Sequence, residues 1–374
     1  MKNSFVLGLS VFLCVLLVSA SFAEVVIPAG VRSAGMGGCG VAISTGLVSA
    51  IYNPAGMVKG GNLEGRLGLG LPSNYNELLT VISDLNDTSK LIEDKFKDSF
   101  DVNSTATGIA GISFSKIGLV VVPTAYCLAQ KEKNSINANF EGTANITGML
   151  TGGYSFSTPY LPIGSVDVGA SLKYVNHGIG WMSSSYVDGD PTGTGASTYL
   201  LGNGVGLDLG AKGEINIPMV TKITVGAVIR DMFETINYSG KFKTYEITST
   251  EGTATEVPPS GDITDSIVMP TTVGLGVSAT LPGFGTLLTS DMIMVSGSNS
   301  EENPAFGQTT MHFGVEQPIM LNVMSIRGGW ATGENPYSSL GLGFNMGVGL
   351  DLAYIMDGKD SKGNAFEIEV SGSI

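Results

Sequence analysis

Polar and apolar residues alternate one by one through long parts of this 374-residue chain. In residues 165–175, SVDVGASLKYV, Val166, Val168, Ala170, Leu172 and Tyr174 fall on one side. Asp167, Gly169, Ser171 and Lys173 fall on the other. Successive side chains of a strand point to opposite faces, so the stretch predicts a strand with one apolar and one polar face. Leu207, Leu209 and Ala211 oppose Asp208, Gly210 and Lys212 in the same way, and Ile223, Val225, Ala227 and Ile229 oppose Thr224, Gly226 and Arg230. Leu340, Leu342, Phe344 and Met346 oppose Gly341, Gly343 and Asn345, and Val348, Leu350, Leu352 and Tyr354 oppose Gly349 and Asp351. The last such segment sets Phe366, Ile368 and Val370 against Glu367, Glu369 and Ser371.

Composition decides what surrounds the apolar face. The mean hydropathy is +0.26 and only 14% of residues are charged. Yet no run of 18 apolar residues follows residue 23, and a spanning helix needs about 20. Glycine supplies 53 residues, about twice the usual share of ~7%. An apolar, glycine-rich chain without spanning helices spreads its apolar residues over alternate strand positions of a membrane barrel. A soluble sandwich would alternate too, with its apolar face inward. The barrel is favoured by a final strand that reaches the chain terminus, and by short links such as Ser115-Lys116 and Pro282-Gly283 alternating with long polar ones. The small residues also let strands curve. The expected fold is all-β: a transmembrane antiparallel barrel of about 14 strands, within a range of about 12–16. Residues 72–104, 182–197, 234–265 and 297–307 are expected as long links on one rim.

The first 23 residues read as a secretory signal. Lys2 supplies the positive start, Phe5 to Val18 the apolar core, and Ser21-Phe22-Ala23 a small-x-small cleavage site, with cleavage expected between Ala23 and Glu24. Cys14 lacks the setting of a lipid anchor. Removing residues 1–23 takes out one lysine and no acid, so the formal charge moves from −14 to −15. That balance argues against nucleic acid, which needs a basic face. Cys39 and Cys127, 88 positions apart, make no disulfide framework. They read as separate buried thiols, with pairing left open by the oxidising compartment.

Chemistry is sparse. Gly35, Gly37 and Gly40 spell G-x-G-x-x-G, but only Val25-Val26-Ile27 precedes them and Pro28 interrupts that run. A dinucleotide fingerprint needs a buried strand there. Neither a G-x-S-x-G elbow nor an H-E-x-x-H pair occurs. His177 with one of Ser183 to Ser185 is the sole hydrolase candidate. No cofactor is expected, and histidine and cysteine are too scattered for a zinc site. If Met311, Phe313 and Val315 face lipid, His312 and Glu316 face the lumen, as do Arg230, Arg327 and Asp351. These five read as a structural polar network, and the chain as a non-enzyme.

Residues 75–100 carry Leu78, Ile82 and Leu85 at i, i+4 and i+7, then Leu91, Ile92 and Phe96, with Asn86-Asp87-Thr88 as a break that can cap a second helix. They predict two short amphipathic helices over one mouth of the barrel. These form either a rigidifying lid or an apolar docking groove lined by Leu78, Leu79, Ile82 and Leu85.

The stretch RSAGMGGCGVAIS followed by SAIYNPAGM resembles the N-terminal region of the FadL-type outer-membrane transporters. VGAVIRDMF (225–233), MHFGVEQPIM (311–320), IRGGW (326–330), LGLGF (340–344) and LDLAY (350–354) continue the resemblance, which covers nearly the whole chain beyond residue 23. It extends to a TraF-like conjugal-transfer branch and to PorV-type secretion barrels, and the helical link looks more like the TraF-like branch. Ile374 departs from the family's usual terminal aromatic. The resemblance implies a hatch folded into the lumen, formed by residues 24–60 ahead of a barrel over 61–374. Gly35, Gly37, Gly38 and Gly40 would run close to the inner wall, and Asn53, Pro54 and Ala55 match the family's Asn-Pro-Ala motif. It implies an outer-membrane protein that passes hydrophobic small molecules of the fatty-acid or aromatic-hydrocarbon class. The alternative is a scaffold with a protein partner in a secretion or transfer system. Outer-membrane lipid surrounds the barrel in either case.

Overall fold

The computed structural model describes residues 30–72, 100–131, 138–157, 163–185, 192–217, 221–248, 253–296, 307–320, 323–333, 335–359 and 364–373. The expected signal segment and most of the expected helical link, with Leu78, Leu79, Ile82 and Leu85, lie outside these residues. Among the described residues, fifteen antiparallel strands follow one another. They are β1 (Leu63–Pro72), β2 (Phe100–Phe114), β3 (Ile117–Lys131), β4 (Ala138–Ser157) and β5 (Ile163–Ser185), then β6 (Thr192–Ile217), β7 (Thr221–Thr248), β8 (Thr253–Val268), β9 (Thr272–Thr280) and β10 (Leu287–Val295). The chain continues as β11 (Thr309–Ile319), β12 (Met324–Ala331), β13 (Tyr337–Asn345), β14 (Val348–Asp357) and β15 (Ala365–Ser373).

Neighbours pair in order, β15 pairs with β1, and β7 carries both β8 and β9. β9 pairs with the first part of β7, from Lys222 to Arg230, and β8 with the rest, from Thr235 to Thr248. β8 and β9 therefore succeed each other along one edge of β7, parted by Met269, Pro270 and Thr271. Fourteen strands close the barrel, and β8 is extra. No described helix is long and apolar enough to cross a membrane.

The alternation sets which face meets lipid. Leu172 and Tyr174 are 58% and 50% exposed, while Ser171 and Lys173 between them are buried. The same holds for Phe366, Ile368 and Val370 against Glu367 and Glu369. The outer face is thus an apolar band, and the polar residues turn inward. On that outer face Phe313 stacks on its cross-strand partner Trp330, with ring centroids 4.8 Å apart.

Two of the expected long links are strand instead. Residues 182–197 belong mostly to β5 and β6, and 234–265 to β7 and β8. β5, β6 and β7 hold 23, 26 and 28 residues, against about 9–11 needed to cross a bilayer. One side of the barrel wall therefore stands well beyond the lipid. A row of outward polar partners marks the change: Asn176 pairs with Asn203, Asn203 with Asn237, and Asn237 with Ser266. Beyond this row the inner face turns apolar, with Val175, Ile236 and Tyr238 buried together and Ile179, Leu200 and Ile267 packed on them. Polar residues facing out into water no longer signal a loop once the lipid is left behind.

β7 bends where it crosses this level. Its register against β6 shifts twice, between Val205 and Leu207 and between Leu207 and Leu209. Asp231 and Phe233 take positive φ, 61° and 59°, which is costly for residues other than glycine. Lys173 meets the strain from the inside, pairing with Asp231, with Asp208 at 3.1 Å and with Glu234 at 3.2 Å.

Candidate functional site: the segment inside the barrel

Residues 30–60 form short helical pieces joined by glycine turns. They are α1 (Val31–Ala34), α2 (Ser49–Tyr52) and two 3-10 turns, Gly46–Val48 and Pro54–Lys59. Each piece is too short to be stable alone. Their residues are nearly all buried, and their partners are the inward side chains of the strands.

The polar contacts run around the wall. Arg32 donates through Nε (2.9 Å) and Nη2 (2.8 Å) to the two oxygens of Glu316 on β11. Arg327 on β12 donates to Glu316 at 2.6 Å and also reaches Asp351 on β14. His312 Nδ1 lies 2.7 Å from the Gly37 carbonyl, and the Gly37 N–H donates to Ser339 Oγ at 2.9 Å. Asp291 on β10 accepts from the N–H groups of Gly40 (2.6 Å) and Val41 (2.8 Å). Lys212 on β6 donates to the Ser44 carbonyl, Arg230 on β7 to that of Ile51, and Glu64 on β1 accepts from the Leu47 N–H.

Asn53 is the hub. Its Nδ2 donates to the carbonyls of Val41, Ala211 and Ala227 at 3.0, 3.1 and 3.3 Å, joining two parts of the segment to β6 and β7. Its Oδ1 accepts from the Ala55 N–H at 3.2 Å and caps the turn that begins at Pro54. Proline suits that first position because its missing N–H would have had no partner.

The wall receives this segment where it has no side chain. A Cβ at Gly169 would lie 2.3 Å from the Pro54 carbonyl carbon, and one at Gly329 would lie 2.2 Å from Gly37 N and Met36 C. Gly226 and Gly314 meet the backbone of Val41 and Met36 in the same manner, at 2.5 and 2.6 Å. The neighbours are backbone atoms that cannot rotate away, so these positions admit glycine only.

All five lumen residues read from the sequence therefore face the segment. Arg230, His312 and Glu316 contact it directly, and Arg327 and Asp351 act behind Glu316. The expected segment residues Gly35, Gly37, Gly38, Gly40, Asn53, Pro54 and Ala55 are all buried in the lumen. Sequence reasoning assigned no such role to Asp291, Lys212, Glu64, Ser339 and the wall glycines. A lone charge in an otherwise uncharged strand was the available signal for Asp291, and a charge on the polar beat of its strand, beside Asp208, for Lys212. Cys39 and Cys127 are unpaired and buried. Burial, with Asp291 close by, pushes the Cys39 thiol far above its usual range, which makes it a poor nucleophile. His177 lies in the inner apolar patch with its Nδ1 against the Tyr238 hydroxyl. The described residues hold no group of three or more metal-ligating side chains of the His, Cys, Asp and Glu kind.

No protein-family profile matches the chain, and no curated protein is significantly similar to it in sequence. Solved structures are similar in fold. The toluene transporter TodX of P. putida superposes with a TM-score of 0.62 at 12% identity, over 93% of this chain and 99% of that one. For the toluene transporter TbuX of Ralstonia pickettii the TM-score is 0.59 at 13% identity, over 93% and 98%. For a FadL homologue of Pseudomonas aeruginosa it is 0.60 at 11%, over 92% and 98%. At these identities the likeness is one of architecture: the chain has the fold of the FadL-type barrels.

Proposed function

We propose that this protein is an outer-membrane channel for hydrophobic small molecules of the aromatic-hydrocarbon or fatty-acid class, and that residues 30–60 are its hatch. The observation that carries the reading is a closed, lipid-facing barrel whose lumen is filled by its own N-terminal segment. Such a segment excludes water-soluble solutes because it occupies the lumen and is bonded to the wall around its circumference. Similarity of fold to two toluene transporters and a FadL homologue supports the same class of cargo.

A greasy molecule has a way out that a polar one does not. The β2–β3 pairing runs from Phe100 to Thr107 and resumes at Ala110, skipping Gly108 and Ile109 opposite Val122 and Pro123. Pro123 has no N–H to offer, and its ring sits close over Gly108, where a Cβ would lie 3.1 Å from Pro123 Cγ. A hydrocarbon that reaches the top of the hatch can leave sideways there into the bilayer, where its transfer is favourable.

The test is a reversible tether. Arg32→Cys and Glu316→Cys, bridged by a cleavable bis-methanethiosulfonate, fix the hatch to β11, while the buried native thiols stay unreactive. Uptake of a fluorescent aromatic probe into vesicles is expected to fall at least several-fold and to return on reduction. Unchanged uptake in the bridged protein would remove the gating role. A stoichiometric protein partner that co-purifies without lipid or hydrocarbon would instead favour the scaffold reading.

A further inference from the structure

A buried carboxylate at the edge of the hatch has no counterpart. Glu367 on β15 is 1% exposed, and neither of its oxygens has a hydrogen-bond partner among the described residues. Its neighbour on the same face, Glu369, is met by Arg66. Thr107 on β2 is also buried, and its Oγ1 is likewise without a partner. The Glu367 side chain and the Thr107 methyl group meet over Gly70 of β1. A Cβ there would lie 3.1 Å from Glu367 Oε1 and 2.9 Å from Thr107 Cγ2. Both line a small void between Gly30 and Val31 of the hatch and strands β1, β2 and β15, with about 10 Å³ of room. That is the space of one water or one small ion.

An isolated carboxylate in such a place is costly unless a positive charge or hydrogen bonds meet it. The orphan atoms are oxygens, the ligands that hard cations take. There is one negative charge and space for one small sphere, a balance that suits a monovalent ion, whereas a Ca²⁺ site draws on several carboxylates. We propose that this void binds a single monovalent cation of sodium size, held by the Glu367 carboxylate and Thr107 Oγ1. The ion ties the start of the hatch, at Gly30 and Val31, to the wall at β1, β2 and β15. The void adjoins Gly108 and Ile109 at the break in the β2–β3 pairing, yet the ion's ligands are Glu367 and Thr107, whatever the barrel carries.

The test uses the full-length protein purified in detergent at pH 8. Its thermal midpoint is followed by tryptophan fluorescence, with NaCl exchanged for N-methyl-D-glucamine chloride at constant ionic strength. The wild type is expected to rise saturably in midpoint with sodium. Glu367→Gln, which keeps shape and removes the charge, is expected to lose the response. Thr107→Val is expected to raise the half-saturating concentration about ten-fold, the equivalent of 1.4 kcal/mol. Equal wild-type midpoints in the two salts, or a sodium response retained in Glu367→Gln, would overturn the site. Should Glu367→Gln fail to fold, wild-type crystals soaked in thallium(I) decide the matter. An anomalous peak between Glu367 and Thr107 supports the ion, and its absence at full soak overturns it.

Discussion

Gly329→Val is expected to destabilise the folded barrel by about 3 kcal/mol, the upper range for overpacking a filled interior. The added Cβ would stand 2.2 Å from Gly37 N and Met36 C. Those atoms belong to the backbone of the luminal segment, so no rotamer change relieves the clash and the segment must shift. Gly169→Val is expected to act alike from the opposite wall, against Pro54. Gly65→Val is the control. A Cβ there meets nothing within 4 Å, and a change of under about 0.5 kcal/mol is expected for so open a position. Urea titration of the reconstituted protein, read by the gel shift between folded and unfolded forms, checks all three. A Gly329→Val midpoint equal to that of Gly65→Val would mean that the hatch is not seated on the wall.

Asn53→Asp is expected to cost more than Asn53→Ala, reversing the usual order in which the isosteric change is the milder. The Asn53 amide donates to three carbonyls. Aspartate places an acceptor against acceptors in a site that is 0% exposed, and an uncompensated buried charge costs about 3–5 kcal/mol. Both variants leave the three carbonyls without this donor; alanine also loses the Ala55 N–H bond, at about 1–3 kcal/mol for a group left buried, but adds no charge and no repulsion. Limited proteolysis at Arg32 and Lys59, both on the hatch, gives a local readout. The expected order of cleavage is Asn53→Asp fastest, then Asn53→Ala, then wild type. Equal rates for the two variants would show that the three carbonyl contacts are not what holds Asn53.

Where lipid gives the outer face a fixed sign, the fold could be read directly from the sequence. Val166 to Tyr174 alternate because one side meets acyl chains and the other the filled lumen. The same logic fails past the row Asn176, Asn203, Asn237. There Lys241 and Lys243 face outward into water while Tyr238 faces inward, so polarity no longer distinguishes strand from loop. Two irregular residues in β7, Asp231 and Phe233, lie at this transition, and neither is a glycine that would mark a bend. The inward cluster of Arg230, His312, Glu316, Arg327 and Asp351 was legible because each charge falls on the polar beat of its strand. The role of the wall glycines was not. A glycine that lets a strand curve and one that receives a hatch look alike in sequence. Gly169 and Pro54 are brought together only by closure of the barrel.

The most direct test of a lumen filled by residues 30–60 is solute entry into vesicles carrying the purified protein, measured by osmotic swelling. The expected result is that arabinose and sucrose enter no faster than into protein-free vesicles, while a variant lacking residues 30–60 admits both. Rapid sugar entry through the intact protein would contradict a hatch that closes the barrel.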